Sequence, residues 1–150
     1  MEAIAVFVND AAHAQHLLQP MLASGAPAHW VLIACPPTLT RHIGRYVSRS
    51  ARRQWRERWA QALFTQIEPA LKACPASIVE RRLADRPLAD MSARLAARLP
   101  GLRLLDARRP RLGVDDEPVS AGQASSGGSA RWAAPVVLTT GMSAMLALAD

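Results

Sequence analysis

The chain has 150 residues, half of them apolar, and a formal net charge of +6. That length suits one domain with a real core, and no run approaches the roughly 18 consecutive apolar residues that a membrane span requires. The first residues carry no basic segment ahead of an apolar one and no cleavage pattern, so the expectation is a cytoplasmic protein without membrane contact. Lys72 is the only lysine, so the positive charge is almost all arginine. Arginine together with alanine and proline marks a GC-rich coding sequence, which discounts the basic balance as a signal. A basic surface still favours anionic partners at low salt. Cys35 and Cys74 show neither a disulfide framework nor zinc-ligand spacing and read as structural.

Residues 3–10 form a short, β-branched apolar run that ends on Asn9 and Asp10. This pattern predicts a strand covered on both faces, whose carboxyl end points at the crevice where open α/β sheets place ligands. Residues 11–23 read as a helix, with Asn9 or Asp10 as N-cap and Gly25 as stop. Ala12, His16, Leu17, Leu18 and Met21 fall near one face, and Pro20 marks a place to kink or shorten the helix. His13 and His16 share that helix without a third ligand, so they do not make a metal site. Residues 29–35 predict a second buried strand, stopped by Pro36 and Pro37.

A long helical stretch is predicted from Thr40 to about Ala73. Ile43, Val47, Ala51, Trp55, Trp59, Leu63, Ile67 and Leu71 recur every fourth residue and make one apolar stripe. Arg41, Arg45, Arg49, Arg53 and Arg56 make a second stripe at nearly the same period. Gly44, residues 48–50 and Pro69 are places where the helix bends or breaks. Residues 76–83 predict a third, more exposed strand, and residues 87–99 a helix with Leu88, Met91, Leu95 and Leu99 on one face. Residues 102–106 predict a fourth strand. From 108 to 130 charges give way to Ser and Gly, which reads as a loop, and residues 134–140 predict a fifth strand. Strands alternating with helices argue for a parallel, doubly wound sheet in a single domain.

This layout resembles the universal stress protein family over nearly the whole chain. Asp10 stands where those proteins carry an aspartate at the end of strand one, near the nucleotide base and ribose. Residues 84–91 resemble their turn into the third helix, and residues 135–138 their closing strand. The resemblance implies a Rossmann-like α/β fold of the adenine nucleotide alpha hydrolase-like (HUP) type, with a five-stranded parallel sheet in the order 3-2-1-4-5 and helices on both faces. It also implies a bacterial, regulatory, non-catalytic homodimer joined through edge strand 135–140, with ATP or AMP as ligand. Carried onto this chain, the nucleotide site would comprise Asn9, Asp10, Ala34, Asp106, Gly113, Gly122 and Gln123. The family's phosphate motif, Gly-x2-Gly-x9-Gly-Ser/Thr, is degraded here. Gly122 falls on its third glycine, Gln123 replaces the hydroxyl residue, Gly113 lies one position too close, and Pro110 occupies the first glycine's place. Glycines there let backbone N–H groups approach phosphate, so the expectation is weak adenine nucleotide binding or none.

No Ser/His/Asp order, carboxylate pair or histidine cluster supports catalysis. Asp10 and Asp106, at the ends of adjacent central strands, either bind a ribose or cap helices and turns. The Ser-Gly-Gly stretch within 125–129 reads as a linker, and His42 with Gly44 matches half of a nucleotidyl-transferase motif by chance. Trp55 and Trp59 fall on the apolar stripe and read as core. The competing expectation is a nucleotide-free homodimeric interaction module that engages a protein partner through the Arg41–Arg56 face or the loop 111–130, and a third, less favoured, is a small nucleotide-hydrolysing enzyme. Nucleic acid is the less favoured partner for that face, although arginine forks suit phosphate.

Overall fold

Strand β1 (Glu2–Val8) is the axis of a parallel sheet, with β2 (Ala28–Ala34) on one side, β4 (Arg103–Asp106) on the other, and β3 (Ile78–Leu83) beyond β2. The computed structural model describes residues 1–39, 41–111, 116–121 and 132–133, with only the backbone of Arg41, Trp132 and Ala133. The four parallel strands run in the order β3-β2-β1-β4, as the alternation of strands and helices predicts. The closing element departs from the expected all-parallel sheet. A two-residue β5 (Trp132–Ala133) pairs antiparallel with β4. A parallel neighbour needs a crossover, usually helical, and the Ser/Gly-rich stretch 125–129 is poor in helix formers. Residues 134–140, and with them the expected fifth strand and dimer edge, lie outside the described residues.

The two-residue side-chain period of each central strand feeds two cores. Ile4, Val6, Val8, Trp30 and Leu32 pack on one face against Ala14 and Leu18 of α1 (Ala11–Leu22) and Leu63, Phe64, Ile67 and Leu71 of α3 (Arg49–Leu71). Ala3, Ala5, Phe7, Val31 and Ile33 pack on the other against Leu88, Met91 and Leu95 of α4 (Leu88–Arg98). Helices therefore cover both faces, the doubly wound arrangement. In α1 the buried positions are Ala14 and Leu18, whereas Ala12 and His16 are exposed, so the packed face is rotated from the expected one. Pro20 lies in the last turn and the helix runs through it, because a proline so near the end removes a single ladder bond. Among the described residues no helix is long and apolar enough to cross a membrane.

The predicted helix from Thr40 divides into α2 (Arg41–Gly44) and α3. Ser48 stands between them in extended backbone, and its Oγ accepts a hydrogen bond from the Ala51 N–H at 3.1 Å, the geometry of an N-cap. Pro69, in the last turn of α3, breaks nothing. The apolar stripe is buried only from Leu63 onward, with Trp59 half-buried and Ile43 and Trp55 exposed. Geometry accounts for this. Twenty-three helical residues span about 34 Å at about 1.5 Å each, whereas a seven-residue strand spans about 23 Å. The helix is therefore longer than the strands by about 11 Å, and its exposed residues put the excess at its N-terminal end.

Buried charge is neutralised within the fold. Glu68, on the packed part of α3, accepts a hydrogen bond from Arg81 Nε at 2.7 Å and pairs with Lys72. Burial alone would raise its carboxyl, but the hydrogen bonds from Lys72 and Arg81 outweigh burial and hold it below the ordinary value. On exposed β3, Glu80 gathers Arg98 at 2.8 Å, Arg82 and, at 3.4 Å, His29, an edge too charged to invite another strand. Glu68→Gln should lower stability at pH 7 by roughly 1–3 kcal/mol, the range for hydrogen bonds to a charged group. Because the folded value is depressed, this stabilisation is present above the unfolded carboxyl's value of 4.5 and is lost as pH falls through the folded one. Urea titrations of both proteins should therefore differ at pH 7 and converge in acid; equal stability at pH 7 would show that the pair contributes nothing.

Candidate anion-binding site

The carboxyl ends of β1 and β4 hold the carboxylates singled out in the sequence. Asp10 caps α1, its Oδ1 accepting from the His13 N–H at 2.9 Å, and its Oδ2 lies 3.8 Å from Arg109 Nη1. Asn9 reaches across to the segment after β4. Its Oδ1 accepts from the Arg109 N–H at 2.6 Å, and its Nδ2 donates to the Arg109 carbonyl at 3.3 Å. Asp106 is gripped by Arg108 through two parallel bonds of 2.9 Å, while Arg108 Nη2 also donates to the Glu117 carbonyl at 2.6 Å. A bidentate pair of this kind is among the stronger interactions available to a guanidinium. Of the two roles expected for Asp10 and Asp106, the structure shows capping and pairing. Ala34 is buried and its carbonyl accepts from the Ala84 N–H at 2.9 Å, extending the β2–β3 ladder. Gly113, Gly122 and Gln123 lie outside the described residues.

The open space lies to one side of these groups. A cleft of about 1070 Å³ runs between the overhanging part of α3, the turns that follow β2 and β3, and the segment after β4. Nine arginines line it against four carboxylates (Glu57, Asp85, Asp116 and Glu117). Five of the nine are paired with a carboxylate: Arg53 with Glu57, Arg81 with Glu68, Arg82 with Glu80, Arg86 with Asp85 and Arg108 with Asp106. The hydrogen bond from Arg86 holds the Asp85 carboxyl below its ordinary value. The other four are not so paired among the described residues. Arg52 donates to the Gly44 carbonyl at 2.8 Å and keeps a buried Nε without a partner, and Arg56 donates to the Ala84 carbonyl. Arg49 and Arg111 are exposed at the mouth with no hydrogen bond or ion pair among the described residues.

The placement of these charges runs against helix electrostatics. The N-terminus of a helix carries partial positive charge and favours acidic residues. The first turn of α3 has none, and Arg49, Arg52 and Arg53 occupy its first two turns. Arg53 is offset by Glu57, whereas Arg49 and Arg52 have no ion pair among the described residues.

The expected arginine stripe is therefore redistributed. Arg49, Arg53 and Arg56 line the cleft, and Arg45 lines an adjoining hollow of about 500 Å³ that shares Pro37, Thr38, Arg52 and Arg56 with it. The side chain of Arg41 lies outside what is described. The sequence reading missed Arg52, which is off the four-residue period, and Arg81, Arg82, Arg86, Arg108 and Arg111, which other elements bring in. Their signal was position: each follows or ends a strand at the carboxyl edge, where ligands bind in open α/β sheets.

Cys35 sits in the cleft wall at the end of β2. Burial, only partly offset by the Arg108 charge, pushes its thiol up to about 12, so it is not a nucleophile at neutral pH. In folded protein at pH 8, iodoacetamide should leave Cys35 unmodified, as read by peptide mapping, and label it once urea unfolds the chain. Stability linked to this neutral thiol is present below the unfolded thiol's value of 9.0 and is lost as pH rises above it. Rapid labelling of native Cys35 would contradict the buried placement.

Comparisons with protein-family models, with curated proteins and with solved structures return no match to this chain, so what the site does is argued from its own geometry.

Proposed function

We propose that this chain is a regulatory, non-catalytic binding domain that holds a phosphate-bearing ligand in the arginine cleft. The observation that carries this reading is the set of four arginines, Arg49, Arg52, Arg56 and Arg111, that line one cleft with no carboxylate at ion-pair distance among the described residues. Guanidinium forks match phosphate oxygens two at a time, and the start of α3 adds the favourable end of its dipole. No nucleophile paired with a base stands in the cleft among the described residues. Its thiol is held protonated, Glu57 and Asp85 pair with arginines, and Glu117 accepts from the Leu88 N–H, which favours binding over bond-making.

The resemblance to universal stress proteins supplies a second reading, in which the phosphates belong to ATP or AMP. It is favoured by the strand order β3-β2-β1-β4 and by Asp10 at the end of β1, and disfavoured by the internal use of Asp10 and Asn9. A thermal melt of the purified chain with Mg-ATP, AMP or tripolyphosphate separates the two. A ligand at a hundred times its dissociation constant adds about 2.7 kcal/mol, which raises the midpoint by roughly 5–10 °C for a domain of this size. The cleft reading expects stabilisation by tripolyphosphate that Arg56→Ala or Arg49→Ala removes and Asp10→Ala leaves. Stabilisation only by adenine nucleotides, lost in Asp10→Ala, would favour the second reading. No shift with any phosphate compound would overturn both.

A further inference from the structure

We infer that the ligand of the arginine cleft is a single-stranded nucleic acid, its phosphates held by the arginines and its bases stacked on Tyr46 and Trp55. The inference rests on the phosphate-binding reading and names the class of ligand. Three observations carry it.

The first is size. The cleft of about 1070 Å³ and the hollow of about 500 Å³ share Arg52 and Arg56 in their walls. Small-ligand pockets run to about 300–1,000 Å³, so the joined space suits an extended ligand better than one mononucleotide.

The second is the pairing of charge with exposed rings. Trp55 lines the hollow beside Arg45, Arg52 and Arg56 and is 36% exposed. Tyr46, in the turn between α2 and α3, is 84% exposed, and its ring meets His42 edge-on with centroids 6.3 Å apart. Tyr46 is not in the wall of either space but directly follows Arg45, which lines the hollow, and most of its ring lacks the burial by which aromatic surface normally stabilises. Basic grooves flanked by aromatic side chains are how proteins bind single strands without reading sequence: the groove follows the backbone and the rings take the bases.

The third is what other anions leave unused. A duplex keeps its bases stacked on one another and shows only their edges, so it offers no face to Tyr46 or Trp55. An acidic peptide would meet the arginines but bring no planar partner for the rings. The same overhang of α3 explains why the tryptophan expected in the core is at the surface. Trp55 lies on the part of the helix that has no sheet beneath it.

The test is fluorescence anisotropy of the full chain with a 5′-labelled 12-nucleotide oligouridylate, a 12-base-pair duplex, and tripolyphosphate as competitor, at 50 and 200 mM salt. Neutralising about four phosphates on a single strand predicts about fifty-fold weaker binding at the higher salt. The oligouridylate should bind more tightly than the duplex. Tyr46→Ala should weaken it roughly ten-fold while Tyr46→Phe keeps it, the signature of stacking rather than hydrogen bonding. Since Tyr46 is almost wholly exposed, these variants should fold like the parent, which a thermal melt verifies. Equal affinity for strand and duplex, or indifference to Tyr46→Ala while tripolyphosphate still competes, would overturn the inference and leave a general phosphate site. Binding of neither oligonucleotide while tripolyphosphate still stabilises the chain would do the same. Loss of all phosphate binding would take the cleft reading down with it.

Discussion

A sheet of seven-residue strands can cover only about two-thirds of a helix as long as α3, and the rest of the molecule's surface chemistry follows from that mismatch. Over the sheet, α3 presents Leu63, Phe64, Ile67 and Leu71 to one core and is held by burial. Beyond the sheet the same helix has nothing to pack on, so its side chains are free to be charged. The helix start therefore becomes a wall. Opposite it stand the turns after β2 and β3 and the segment after β4, and the space enclosed is the arginine cleft. The overhang and the ends of parallel strands meet on one side because a crossover helix runs back against the strands it connects.

Within that geometry the arginines divide by what they face. Those near the sheet are structural: Arg81 on Glu68 and across the face of Phe64, Arg82 and Arg98 on Glu80, Arg108 on Asp106. Each neutralises a carboxylate that would otherwise be partly desolvated, which is why removal of one partner is costlier than the pair's net value. Arg49 and Arg52 make no such ion pair among the described residues, and they stand in the first turn of α3, at the positive end of its dipole. Charge left without an ion pair at that end of a helix is what supports the proposed phosphate site.

Much of the fold was legible in the chain. The buried run before Asn9, the turn signals at Gly25 and Pro36, and the face of Leu88, Met91 and Leu95 each state a local preference that the packing agrees with. Three features were not. The stripe from Ile43 to Leu71 keeps a strict spacing of four, which drifts round a helix of about 3.6 residues per turn and carries no information about how far the partner surface extends, so Ile43 and Trp55 read as core. The break after Gly44 depends on the cap formed by Ser48, one of several small polar residues that period alone does not separate. The site itself is assembled from five separated stretches, and the arginines of β3 and of the segment after β4 join those of α3 only through the sheet's strand order. The direction of the closing pair, Trp132–Ala133 against β4, is likewise a property of tertiary arrangement rather than of local pattern.

The bridge between Asn9 and Arg109 spans a hundred positions of the chain, and the pairing of Ile4 with Arg103 nearly as many. Contacts of such long sequence separation carry a large loop-closure cost and form late, especially in parallel sheets. During synthesis the N-terminal part can dock β2 on β1 and seat α3 well before β4 has emerged. At that stage the overhanging arginines exist but face open solvent, with no second wall. The second wall of the cleft is thus added only after β4 and the segment that follows it have been made, so a product truncated before β4 keeps the charge without the enclosure.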